Sequence, residues 1–182
     1  MIPSRSFTLT ADGRLNVLIS SCGVSQPFNP KSGETPPPTC NFDAIWDTGA
    51  TNTVITQAVI DKCGLVATGM TKVHGVSGSS LSETYLVNIA LPNNVVFPSI
   101  HATKGDFPGA NALIGMDIIN KGDFAITNLG GVTKFSFRIP SQKHIDFVEE
   151  SRKQSQISSQ HKSKKTDRPK HHKTFGINKK KK

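Results

Sequence analysis

The chain has little of several things that would simplify its reading. It holds only three cysteines, Cys22, Cys40 and Cys63, in 182 residues, and their spacing matches no metal-ligand pattern. An odd count without a secretion signal points to reduced thiols, although Cys22 and Cys40 flank a loop and are the pair that an oxidising compartment would bridge. No apolar run approaches the length of a membrane span. Met1 to Ser20, interrupted by Arg5, Asp12 and Arg14, carries no secretory core, so a soluble, cytoplasmic protein is expected. No serine stands in a nucleophile-elbow context; Ser77, Ser79 and Ser80 read as loop residues. Thr48 stands where a phosphorylating ATPase would want a lysine after the aspartate, which sets an aspartyl-phosphate chemistry aside.

Acidic charge is also scarce, but unevenly so. The net charge is +9, yet residues 1–140 hold nine Lys/Arg against nine Asp/Glu, and the whole surplus lies beyond Pro140. There, thirteen Lys/Arg face only Asp146, Glu149, Glu150 and Asp167. The reading is one domain over 1–140 and a basic, largely disordered tail over 141–182. Ile145, Phe147 and Val148 suffice for one weak amphipathic turn or two. Beyond Gln154 the composition of Ser, Gln, Lys and His lacks the apolar surface that offsets the entropy of ordering. Residues 162–182 are a candidate for nonspecific, salt-sensitive contact with a polyanion or nucleic acid. They have no zinc-knuckle cysteines and no aromatic beyond Phe175, so a solvated tail explains them equally.

What the first 140 residues do contain is a succession of short strands. Phe7 and Leu9, then Leu15, Val17 and Ile19, alternate about the turn residues Ala11-Asp12-Gly13 and predict a hairpin. Five prolines between Gln26 and Thr39 make that stretch a surface loop, because proline cannot donate to a ladder. Phe42 to Trp46 is an apolar strand that ends at Asp47-Thr48-Gly49-Ala50, and Thr53-Val54-Ile55 leaves it. Thr56 is positioned to cap a short helix over Gln57 to Lys62 that buries Val59 and Ile60 and ends at Gly64. A long hairpin from Thr71 to Leu91 has a small, polar tip at 75–80. Val95 to Ile100 continues after an Asn93-Asn94 turn, Ala112 to Ile114 runs into one helical turn at Met116 to Asn120, and Phe124 to Ile126 pairs with Lys134 to Ile139.

A carboxylate emerging from an apolar strand is costly to desolvate, so Asp47 must be satisfied by hydrogen bonds or used. Gly49 lets the backbone approach it and supply an N–H, the Thr48 hydroxyl can bond across to a partner segment, and Ala50 has no hydroxyl to offer. Asp-Thr-Gly alone is short enough to recur by chance, and its other reading is a satisfied turn after a strand. Its ordered company gives it weight: strand, Asp-Thr-Gly-Ala, strand, Gly-rich hairpin, then Leu113-Ile114-Gly115-Met116-Asp117-Ile118-Ile119.

In that order the chain, from about Phe7 to Ile139, resembles the retropepsin-like aspartic proteases. The resemblance implies an all-β, closed, mainly antiparallel barrel-like fold with one or two short helices, assembled as a homodimer. It implies an endopeptidase that needs no metal or organic cofactor, with Asp47 from each subunit about one water. It makes Thr48, Gly49 and Ala50 the support of that loop. His74, Gly75, Val76, Ser77 and Gly78 become a flap over the peptide, and Leu113, Ile114 and Gly115 the segment behind the site. Asp117 matches a structural position. The Pro-rich insertion, the histidine in the flap and the basic tail depart from the family. An alternative from another class is a catalytically inactive dimerisation or binding module of this fold whose basic tail binds a polyanion.

Overall fold

The computed structural model describes residues 4–28, 33, 35–75 and 78–166, with side chains as far as Ile157. It divides into two units, Met1–Lys143 and His144–Lys182. The first is mostly β. Its strands are β1 (Arg5–Thr10), β2 (Ile19–Ser25), β3 (Cys40–Trp46), β4 (Val54–Ile55), β5 (Ala67–Gly75), β6 (Gly78–Leu91), β7 (Val95–Lys104), β8 (Ala112–Ile114), β9 (Asp123–Thr127) and β10 (Lys134–Ile139). Two short helices interrupt them, α1 (Gln57–Cys63) and α2 (Met116–Ile119).

Seven strands form one sheet in the order β2-β3-β8-β4-β7-β6-β5, and a further pairing of β2 with β6 returns the sheet on itself. The closure is uneven. The joint spans only Gly23–Ser25 against Asn88–Ala90, and β4 is two residues long. Most pairings are antiparallel, but β3 with β8 and β4 with β7 run parallel. β8 lies between β3 and β4, parallel to the first and antiparallel to the second, so the chain on either side of Asp47 is set against the segment that ends at Ile114.

The first expected hairpin does not form. β1 pairs with β10, Phe7 opposite Phe137, while β2 pairs with β3, Ile19 opposite Ile45. Alternation reports which face of a strand is buried, but it carries no information about the partner strand. The choice falls to the aromatic side chains: Phe7 lies 5.9 Å from the Trp46 ring and about 6.2 Å from both Phe135 and Phe137. Trp46 stacks on Phe124 at 5.3 Å with the planes 6° apart, and its Nε1 donates to Ser20 Oγ at 2.9 Å. This cluster joins the three-stranded sheet β1-β10-β9 to the strand that carries Asp47. Emptying one such aromatic site typically costs ~3–5 kcal/mol.

α1 buries Val59 and Ile60 and ends at Gly64 in the left-handed conformation, where any side chain would be strained. Thr56 occupies the N-cap position but makes no side-chain cap bond; its Oγ1 is buried and finds no partner among the described residues. Asn93 and Asn94 both adopt φ of 57° in the turn between β6 and β7, as that pair predicts. The described residues of the Pro-rich stretch form no strand.

In the second unit the structure differs from the one or two turns expected after Pro140. A single helix, α3 (Phe147–Thr166), runs for 20 residues. Its signals are local: Asp146 Oδ1 accepts from the N–H groups of Val148 and Glu149 at 2.9 and 3.0 Å, and Lys153 meets Glu149 one turn back at 2.7 Å. Those signals act on the backbone and need no buried apolar face, which the reading from composition required. Of the stretch beyond Gln154 expected to be disordered, residues 155–166 belong instead to α3, and residues 167–182 lie outside the described residues. Among the described residues no helix is long and apolar enough to cross a membrane.

The first unit is closed at its end by Asp123. Its carboxylate accepts from Ser141 Oγ, from the Arg138 guanidinium and from the Gln142 N–H at 3.0 Å. The Ser141 hydroxyl, then Arg138 and the Gln142 amide, hold it well below the ordinary carboxylate range. A depressed carboxylate pKa contributes stability that is present above the unfolded-state value and is lost as pH falls. Asp123→Asn is therefore expected to lower Tm at neutral pH, and the gap to wild type to shrink as pH is taken below about 4. Thermal melts across that range check it, and a gap that stays constant would contradict it.

Candidate active site

β3 delivers Asp47. Along that strand Ala44 and Trp46 are buried, Ile45 and Asp47 are half-buried, and the chain then turns through Thr48 and Gly49, both exposed. The Gly49 N–H donates to Asp47 Oδ1 at 2.8 Å, and the Ala50 N–H donates to the Asp47 carbonyl at 3.3 Å. A Cβ on residue 49 would sit 3.1 Å from Asp47 Oδ1, a tight contact that the carboxylate would have to ease by a few tenths of an ångström.

The loop is held from behind by the β8–α2 segment. The Asp47 N–H donates to the Ile114 carbonyl at 3.0 Å, the Met116 N–H to the Ala50 carbonyl at 2.8 Å, and the Asp117 N–H to the Thr51 carbonyl at 3.1 Å. Asp117 Oδ1 accepts from Thr53 Oγ1 at 2.9 Å and from the Ile118 N–H at 3.0 Å. Asp117 thus ties the start of α2 to the strand that leaves the loop. Gly115 sits where the two segments touch: a Cβ there would lie 2.5 Å from the Asn52 carbonyl oxygen and 3.0 Å from that of Ala50. Its φ of −93° is open to any residue, so the close approach alone demands glycine.

On its open side Asp47 borders a cleft of about 370 Å³. Thr48, Ile45, Leu15, Val17, Phe124 and Ile126 line it, and Leu15, Val17 and Ile126 remain 43%, 48% and 46% exposed. An apolar cleft with one carboxylate at its edge suits a ligand that pairs an apolar side chain with a polar, reacting group. The lining residues escape a reading by motif because they come from β3, β9 and the stretch before β2. The exposed alternation of Leu15 and Val17 is the signal that was available, and it reads first as a strand.

The structure brings Thr48, Gly49, Ala50, Leu113, Ile114 and Gly115 together around Asp47. The hairpin of β5 and β6 carries His74 opposite Ser79 and Gly75 opposite Gly78. Val76 and Ser77 lie outside the described residues. At the hairpin's base, Glu83 accepts from Tyr85 Oη at 2.9 Å and from Lys104 Nζ at 3.4 Å. The Tyr85 hydroxyl, then Lys104, lowers the pKa of Glu83. Among the described residues no group of three or more His, Cys, Asp or Glu side chains is placed to hold a metal ion.

Because the oxygens facing Gly115 belong to backbone, the site cannot yield by rotating a side chain. Gly115→Ala is expected to destabilise the fold by on the order of 3 kcal/mol. Denaturant titration measures this, and an unchanged midpoint would show that the two segments are free to part.

Residues 39–121 match a protein family described as gag-polyprotein putative aspartyl protease. No curated protein sequence matches the chain. Among solved structures, the chain is similar to a retropepsin-like aspartic protease from Rickettsia conorii, at 12% identity and a TM-score of 0.45, over 76% of this chain and 97% of that one. It is similar to the protease of Simian Foamy Virus (mac), at 12% identity and a TM-score of 0.38, over 57% and 92%. It is also similar to the retroviral protease-like domain of Ddi1 from Leishmania major, at 15% identity and a TM-score of 0.40, over 62% and 82%. The family match covers the Asp47 loop, the β5–β6 hairpin and the Gly115 crossing together, and by it the chain resembles the retropepsin-like aspartic proteases.

Proposed function

We propose that this chain is an aspartic endopeptidase whose site is completed by a second copy of itself. The observation that carries the reading is the Asp47 loop, a half-buried carboxylate pinned from behind by the Ile114–Asp117 backbone and open in front to an apolar cleft. Direct attack of water on a peptide carbonyl uses two carboxylates about one water: one accepts the water's proton while the other, protonated, donates to the carbonyl oxygen. Two like charges that close cannot both ionise, so the pair shares one proton. The chain contains one Asp-Thr-Gly, and a two-fold axis through the site supplies the second carboxylate from an identical loop.

In this reading Asp47 and the partner copy's equivalent carboxylate do the chemistry, and Thr48, Gly49 and Ala50 shape the loop. His74, Gly75, Val76, Ser77 and Gly78 close over an extended peptide, and Leu113, Ile114 and Gly115 support the floor. The cleft beside Asp47 takes an apolar side chain of the substrate. Protease function is assigned to residues 1–140. The positive charge concentrated in 162–182 favours a separate role for that stretch, a nonspecific and salt-sensitive contact with a polyanion or nucleic acid.

Asp47→Asn removes the group that takes the water's proton, so cleavage should fall by about 10³-fold or more. The measurement is mass-spectrometric reading of new termini in a diverse peptide pool incubated with each protein between pH 4 and 8. Cleavage by both proteins would overturn the role of Asp47, and cleavage by neither would favour the inactive binding module. Activity per chain should also rise with protein concentration in step with dimer formation seen by sedimentation; a monomer that still cleaves peptide would exclude the shared site.

A further inference from the structure

The three cysteines, distant in sequence, converge at the opposite end of β3 from Asp47. β2 and β3 are antiparallel, with Val24 opposite Cys40 and Cys22 opposite Phe42. Cys63, the last residue of α1, donates its S–H to the Val24 carbonyl at 3.5 Å, and Val24 is the register partner of Cys40. Cys40 in turn donates to the carbonyl of Lys62, the residue bonded to Cys63, at 3.6 Å. Each of the two thiols therefore reaches the backbone beside the other.

This placement changes which pair is able to bridge. Cys22 and Cys40 are diagonal neighbours in the β2–β3 ladder, and such residues stand about 7–8 Å apart at Cα, beyond the ~4.4–6.8 Å that a disulfide spans. Cys22 is also wholly buried, while Cys40 and Cys63 are both partly exposed. The Cys22–Cys40 bridge that spacing suggests is not the one the fold favours.

We propose that Cys40 and Cys63 are a modification site, a thiol pair that closes a disulfide when it meets an oxidising small-molecule disulfide. Cys40 as thiolate attacks one sulfur of the small disulfide, forming a mixed disulfide and releasing the first small thiol. Cys63 then loses its proton and attacks the Cys40 sulfur, expelling the second small thiol. Two S–H bonds of the protein and one S–S bond of the oxidant are exchanged for one protein S–S bond and two small thiols, and two electrons pass to the oxidant.

The order of attack follows from the surroundings. Burial pushes the Cys63 thiol up to about 12, the neighbouring Cys40 sulfur adds to the rise, and Cys63 stays protonated at neutral pH. It is the resolving thiol. Cys22, raised to about 12 by burial first and Cys63 second, is wholly buried and closed to an oxidant in solution. The bond would close a ring around β3, the Asp47 loop, β4 and α1, and the site does not depend on Asp47 acting in catalysis.

The test uses the full chain, reduced and then exposed under native conditions to oxidised glutathione, with remaining thiols alkylated after denaturation. The expected product is an intramolecular Cys40–Cys63 link in a non-reducing digest, with only Cys22 alkylated and a mass loss of about 2 Da before alkylation. Cys22→Ser should still close the bond, whereas Cys40→Ser and Cys63→Ser should not. Closing a ring of this length should raise Tm on the order of 5–10 °C. Three alkylatable thiols after oxidation, a Cys22–Cys40 link, crosslinks only between chains, or a bond that leaves Tm unchanged would each overturn the proposal. The wild-type digest decides the pairing even if a serine variant fails to fold.

Discussion

Everything around Asp47 depends on one close crossing of backbone, where Gly115 passes the carbonyls of Ala50 and Asn52 with no room for a Cβ. The hydrogen bonds from Asp47 to Ile114, from Met116 to Ala50 and from Asp117 to Thr51 all lie within a few residues of that contact. They fix the loop on both sides of the carboxylate. Among the described residues, a side chain held this way keeps its position without spending its own oxygens on the scaffold, apart from the one that accepts from Gly49. Such preorganisation is what a reacting carboxylate requires.

Two further contacts carry the crossing's constraint outward. The Thr53–Asp117 hydrogen bond ties the exit of the loop to α2, and the parallel pairings of β3 with β8 and β4 with β7 extend the contact into the sheet. On the other side, Trp46 anchors the residue before Asp47 in the aromatic cluster with Phe7, Phe124, Phe135 and Phe137. The strand that presents the carboxylate is thus clamped by apolar packing on its buried face and by backbone hydrogen bonds at its end. The remote end of the same strand carries Cys40, so the proposed thiol pair and the Asp47 loop share one element.

Much of this was legible in the residues. Alternation located nearly every strand, Gly64 marked the end of α1, and Asn93-Asn94 marked its turn, because each is a local preference of the backbone. The Asp-Thr-Gly motif and the Leu113-Ile114-Gly115 segment were visible as separate features. Their contact was not, since nothing in a linear pattern states that residue 115 touches residue 52. The same limit explains the misplaced hairpin: Phe7 and Leu15 alternate as neighbouring strands would, yet Phe7 finds its partner at Phe137, beyond the reach of any local rule. The length of α3 escaped for a different reason, because capping by Asp146 and one-turn charge pairing act without the apolar face that composition measures.

By itself the sequence determined the chemistry on offer: one carboxylate in an Asp-Thr-Gly-Ala turn, a neutral body of short strands, a basic tail and three scattered thiols. It did so because residue type, local periodicity and turn preference are properties of neighbours along the chain. Only the tertiary structure decided which segments meet. It set Gly115 against the Asp47 loop, opened an apolar cleft from residues of β3, β9 and the stretch before β2, and brought Cys63, distant in sequence, beside Cys40. Those outcomes turn on strand register and on the burial of a few aromatic rings, quantities that exist only once distant parts of the chain are packed together.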